Sequence, residues 1–372
     1  MKVGIITIND AKPNFGNKLQ NYASVTVFQK LNCKVQTVLT EKQMDVKEYY
    51  VRRFLNWLST YHLSENQYFW IRFCRFHEFD RKYLKLCDSL LRGKNVQEEF
   101  DYFAVGSDQV WNTEWWYSDL KKKAFLLLFA KNHQKICMAP SFGRDNLPKE
   151  WEKSFADSLL TFRKLSVREE QGAKIIREVT GREAEVVIDP TMMLEVKEWR
   201  ALEHKLKVKS HKGKYILKYF LGEQSKKQRK EIEDLAQESG LEIYELLDKE
   251  ERELYSAGPR EFLYLIDHAE LICTDSFHAV VFSILFDKPF LIFDREENGV
   301  PVMNSRIDTL LKQFEVERHV ISDRETVFQC DYTRAKEILR TKKRQAYQFL
   351  IDSIKQNPGD ENGKKIKNRI YG

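Results

Sequence analysis

Short, almost unbroken apolar runs recur along the chain, separated by stretches in which apolar residues return at helical spacing. Residues 3–8 read VGIITI, and after a helical stretch LQNYASVTVFQKL comes a second run at 35–39; others fall at 100–105, 135–139 and 186–188. Runs too apolar to alternate suit strands buried on both faces, which is the position of a strand in a helix-covered parallel sheet. The pattern then begins again. Residues 215–221 and 242–246 read as strands around a charged-face helix that runs from Ser225 to Ser239 and is closed by Gly240. Helices are also expected at 260–268, 306–314 and 333–355.

The densest unit is ELICTDSFHAVVFSILFDKPFLIF, residues 270–293. Its first residues form a short strand. Asp275 and Ser276 are both N-cap types, and Phe277, Val280, Val281, Ile284 and Leu285 return at helical spacing, so a helix is expected from Ser276. Asp287, Lys288 and Pro289 stop it, and a second apolar strand follows. Strand, helix and strand in this order make the right-handed crossover of a parallel sheet. Ligands of such sheets bind at the carboxyl ends of the strands, where a helix N-terminus offers free N–H groups to an anion. His278 stands in that first turn. A histidine there is also an ordinary capping or surface residue, so the position marks a candidate and no more.

These patterns predict an α/β protein with two Rossmann-like domains: 1–195, then 213–332, a helix at 333–357 and a tail at 358–372. An inserted helical pair is expected at about 49–90, where Phe69, Phe73, Phe76 and Tyr83 stand beside Arg72, Arg75, Arg81 and Lys82. Such a stripe is either the buried side of a helix or a surface for bases or a membrane.

Composition narrows the choices. With 372 residues, 42% hydrophobic and 13% aromatic, there is core enough for two domains. The net charge of +6 suits an anionic small substrate, a phosphorylated head group or nucleic acid, and part of it lies in the tail at Lys364, Lys365, Lys367 and Arg369. The six cysteines have neither CxxC nor Cys/His spacing, which argues against a disulfide framework and a zinc site. The opening apolar run is too short for a signal peptide and no run reaches a membrane span, so a cytoplasmic protein is expected. One glycine, Gly16, in the first strand-to-helix loop is too few for a dinucleotide fingerprint, so neither NAD nor FAD is expected.

Further polar segments follow strands: GSDQVWN at 106–112, PSFG at 140–143 and VREEQG at 167–172, while Asp189, Pro190 and Thr191 cap the run at 186–188. FGNKLQNYA, GSDQVWN, SVREEQG and TDSFHAVVFSILFDKPF, with IDPTMML and SRIDTLL in support, are together similar to the polysaccharide pyruvyl transferase family. The resemblance implies two Rossmann-like domains facing a cleft as in GT-B glycosyltransferases, with a final helix crossing back to the first. It implies phosphoenolpyruvate as donor, no cofactor, and as acceptor a sugar or lipid-linked oligosaccharide on which a pyruvate ketal forms. Donor-site residues would fall on Arg168 and His278, with Phe277 beside them. Some family members carry Arg two positions before that His; here Ser276 stands there, and Arg306 or the helix N-terminus is expected to supply the anion contact.

Arg168 suits a bidentate grip on phosphate or carboxylate, and His278 suits acid or base work near neutral pH; a surface ion pair with Glu169 or Glu170 is the plainer reading of Arg168. Asn17, Gln20, Ser107, Asp108, Gln109 and Ser141 either bind acceptor hydroxyls or hold loops together. No metal and no nucleic acid is expected. A peripheral contact with the inner face of the membrane, through the basic aromatic insertion, would suit a lipid-linked acceptor. Two other readings use the same residues: a GT-B glycosyltransferase taking a nucleotide sugar, and a non-catalytic nucleic-acid or membrane-surface binder built on 49–88.

Overall fold

The computed structural model describes residues 1–9, 13–42, 51, 63–206, 208, 213–297, 300–302 and 305–354. Outside these lie parts of the expected insertion (49–50 and 52–62), most of 207–212 between the expected domains, residues 355–357 of the expected terminal helix, and the basic tail.

The apolar runs of the first half become a five-stranded sheet in the order β3-β2-β1-β4-β5. The strands are β1 Lys2–Ile6, β2 Lys34–Val38, β3 Leu86–Cys87, β4 Tyr102–Val105 and β5 Lys135–Cys137. All pair in parallel, with Ile5 between Thr37 and Ala104. A short parallel pair, β6 Ser166–Val167 and β7 Glu185–Val186, continues beyond β5, where Arg168 N donates to Pro140 O. The second half forms a parallel sheet ordered β11-β10-β8-β9, from β8 Tyr215–Tyr219, β9 Glu242–Glu245, β10 Leu271–Thr274 and β11 Phe290–Ile292. Winding reverses between β1 and β4 in one sheet and between β8 and β10 in the other. These reversals open crevices at the carboxyl ends of the strands.

The two halves share a core. Phe15, first residue of the helix Phe15–Lys30, stacks on Phe262 with ring centroids 4.5 Å apart and meets the edge of Tyr219. The helix Thr333–Ile354 returns from the second half to the first, where Tyr102 Oη donates to Ile354 O.

One expectation needs correction. The helix of the densest unit spans Phe277–Leu285 with Ser276 as N-cap, but no side chain caps it. The Asp275 carboxylate instead accepts Leu221 N at 2.7 Å and Gly222 N at 2.8 Å, tying the loop after β8 to the end of β10. In the basic aromatic stripe, the helix Leu63–Phe79 buries Arg72, Phe73 and Phe76 and leaves Phe69 40% exposed, while Arg81 and Lys82 beyond it are exposed. Arg72 is only 4% exposed, bonds Tyr255 O and Ala257 O, and lies over the rings of Phe15, Phe76 and Tyr255. Arg75 bonds Ser256 O and approaches Glu261. These cations join the two halves, because a buried guanidinium needs the carbonyl acceptors that the second half supplies.

Candidate functional site

The carboxyl ends of β1 and β4 are clamped from the first helix. Gln20 Nε2 donates to Thr7 Oγ1 at 2.7 Å, its Oε1 accepts Ser107 N, and Thr7 Oγ1 donates to Ser107 O. Gly106 makes the close approach possible: at φ 117°, a β-carbon there would lie 2.2 Å from Met138 O. Next, Asp108 adopts the left-handed region at φ 63°, and its carbonyl accepts Ser141 N.

Asp189 gathers the charges. Its Oδ2 accepts Ser107 Oγ at 2.7 Å and Arg168 Nη1 at 2.7 Å, and its Oδ1 accepts the N–H and hydroxyl of Thr191. Burial would raise this carboxyl, but Arg168, His278 and Thr191 hold it at about 2, so it stays ionised. Burial would also discharge Arg168; Asp189, Asp108 and Glu169 outweigh it and raise the guanidinium above its ordinary value. Arg168 lies 3.6 Å from Asp108 and 4.1 Å above the ring of Phe277, while its Nε and Nη2 have no hydrogen-bond acceptor among the described residues. Its ion-pair partners are therefore Asp189 and Asp108. Glu169 is turned inward to accept Phe142 N, and burial raises its pKa against the pull of Arg168.

His278 is buried beside this cluster, with Nε2 3.9 Å from Asp189 Oδ2 and without a hydrogen-bond partner among the described residues. Burial lowers its pKa, aided by Arg168 and Arg306 and opposed by Asp189 and Asp108. A first-turn histidine reads from sequence as exposed; here the first helix covers it.

A cleft of about 440 Å³ opens between the crevices of the two sheets. Asn17, Asp108 and Gln109 line it from the first half; Ser276, Phe277, His278 and Arg306 line it from the second. Arg168 lies behind Phe277. Gln20, Ser107 and Ser141 are buried and do not line the cleft; Gln20 and Ser107 join strand ends to Asp189, and Ser141 bonds the loops after β4 and β5. Sequence reasoning treated Asp189 as a strand cap and passed over Trp115 and Tyr117, which also line the cleft. An Asp-Pro-Thr after a strand and aromatics within the polar NTEWWYSD were the available signals. Among the described residues, one His/Cys/Asp/Glu group has ligand atoms within 4.8 Å of one another, Glu203, Asp267 and His268, and none of these lines the cleft. No helix among the described residues is long and apolar enough to cross a membrane.

The family model described as polysaccharide pyruvyl transferase matches residues 14–297. No curated protein matches the chain. Among solved structures, the UDP-GlcNAc 2-epimerase of Neisseria meningitidis, bound to UDP-GlcNAc, is 13% identical over 96% of this chain and 100% of that one, with a TM-score of 0.45. A glycosyltransferase of Rickettsia africae is 9% identical over 100% and 98%, with a TM-score of 0.41. The E. coli heptosyltransferase WaaC with ADP-2-deoxy-2-fluoro heptose is 14% identical over 85% and 99%, with a TM-score of 0.34.

Proposed function

The chain belongs to the polysaccharide pyruvyl transferase family, and from that premise we propose that it moves pyruvate from phosphoenolpyruvate onto two hydroxyls of a sugar, closing a cyclic ketal and releasing inorganic phosphate. The acceptor is a sugar of a polysaccharide or of its lipid-linked precursor. The observation that carries this reading is a buried imidazole with a lowered pKa, next to an ionised carboxylate, in a cleft that also holds Arg306 and a helix N-terminus.

The reaction needs two additions at C2 of the donor. One acceptor hydroxyl bonds to C2 while the methylene carbon takes up a proton and becomes a methyl group. The second hydroxyl then bonds to C2 as the C2–O bond to phosphate breaks. One hydroxyl proton is balanced by the methyl group and the other leaves with phosphate. His278, neutral because burial lowers its pKa, takes the proton from the attacking hydroxyl, and Asp189 at 3.9 Å stabilises the imidazolium that results. General base catalysis of this kind contributes roughly 10²–10⁴-fold. Arg306 and the backbone N–H groups at the start of the Phe277–Leu285 helix hold donor anions. We assign Arg168 to the donor side as well, as the buried cation that fixes Asp189 and backs the Phe277 ring at the start of the same helix.

The test is incubation with phosphoenolpyruvate and a panel of free and lipid-linked sugars, following phosphate release and the mass of the acceptor. Phosphate release that depends on a sugar, with pyruvate added to that sugar, is expected. Turnover of nucleotide sugars with phosphoenolpyruvate untouched would overturn the reading.

A further inference from the structure

The cleft is chemically divided between the two halves of the chain. The second half contributes Arg306, His278 and the helix N-terminus, whereas the first contributes Asn17, Asp108, Gln109, Trp115 and Tyr117 and no cation among the described lining residues. An anionic donor belongs on the cationic side. The other wall combines amides and a carboxylate with two aromatic rings, a set suited to a neutral polyhydroxyl compound.

The way the loop is built explains why both rings face outward. A 3₁₀ turn, Thr113–Trp115, is capped by Asn112, whose side chain accepts Glu114 N. Trp116 turns inward: its Nε1 donates to Val110 O at 2.9 Å, and its ring stacks on Phe155 and meets Trp151 edge-on. With Trp116 half-buried and packed against the core, its neighbours on either side remain at the surface; Trp115 is 44% exposed and Tyr117 is 63% exposed. Lys121 Nζ stands 4.4 Å from the centre of the Tyr117 ring and pairs with Glu41 at 2.8 Å, which braces that ring. Leu221, 45% exposed, adds apolar surface from the opposite half. Large apolar side chains left in water inside a concave site are retained at a cost that a ligand offsets.

We propose that Trp115 and Tyr117 form a stacking platform for the acceptor pyranose, taking its C–H face while Asn17, Asp108 and Gln109 hydrogen-bond its hydroxyls. This rests on the pyruvyl-transfer reading for the word acceptor, but the platform itself is a sugar site. An aromatic face carries partial negative charge and attracts the polarised C–H groups of a sugar ring, and the contact demands little of which sugar is presented. Discrimination among sugars then falls to the three polar residues.

The test is saturation-transfer NMR on the full chain with the methyl pyranosides of galactose, glucose, mannose and N-acetylglucosamine. Transfer to ring C–H protons of at least one is expected for the wild type, weakened about tenfold in affinity by Trp115→Ala or Tyr117→Ala and kept by Tyr117→Phe. Absence of transfer from all four, or equal transfer in the alanine variants, would overturn the platform. A parallel thermal-shift series with phosphoenolpyruvate separates the two ideas. An equal shift in wild type and variants assigns the platform to the acceptor side, and loss of the shift in the alanine variants refutes that assignment. No shift in any of them refutes the donor reading and leaves the NMR result to judge the sugar site.

Discussion

Gly16 and His278 touch across the two halves of the chain: a β-carbon on Gly16 would lie 2.2 Å from His278 Nδ1. The first turns of two helices, Phe15–Lys30 and Phe277–Leu285, thus meet at the imidazole, and only a missing side chain lets the ring lie there.

Gly16→Ala tests that contact. Alanine in a helix is ordinarily worth about 1 kcal/mol over glycine, so local helix stability should not suffer. The ring must move instead, and turnover is expected to fall about tenfold or more while circular dichroism keeps the native helix content, given that small misplacement of a catalytic group is costly. Unchanged kinetics would mean that the ring position is not limiting.

The buried imidazole sets a pH dependence. Its folded-state pKa lies below its ordinary value, so the unfolded chain binds the proton more readily than the native protein. The contribution to stability is then complete above about pH 6.5 and is lost as pH falls from there through the lower, folded pKa. Urea unfolding at pH 7.5 and 5.5 should show a larger loss for wild type than for His278→Gln. The same variant should lose roughly 10²–10⁴-fold in turnover. Parallel pH slopes for the two proteins would refute a buried neutral histidine.

Arg168 holds two carboxylates, at 2.7 Å and 3.6 Å. Arg168→Leu strands Asp189 without its cation and should cost about 3–5 kcal/mol in chemical denaturation. Arg168→Lys keeps the charge but not the fork, and should raise the donor KM about tenfold while leaving the acceptor KM nearly unchanged. Equal effects on both substrates would assign Arg168 to support of the cleft alone.

Arg72 belongs to the junction of the halves. Arg72→Ala leaves Tyr255 O and Ala257 O without this donor and should destabilise the protein by about 1–3 kcal/mol. Flotation with anionic vesicles should be the same for wild type and variant. A clear loss of vesicle binding with unchanged stability would assign Arg72 to a membrane-contact face and not to the junction.

Local order was legible in the residues themselves. The apolar runs at β1, β4, β8 and β10 and the helical spacing from Phe277 to Leu285 each express one element burying its own surface, which periodicity records directly. Position after a strand drew attention to Asp108 and His278, and the family resemblance added Arg168. What each side chain meets was decided elsewhere. Asp189 joins Ser107 from 82 residues away and Arg168 from 21, Gly16 is shaped by a histidine in the other half, and Arg72 finds its carbonyls beyond residue 250. The same two residue types, Arg and Phe, read alike on a membrane face and in a junction between halves. Which one they form depends on how two separately wound sheets dock, and that docking is a property of long-range packing that no local spacing carries.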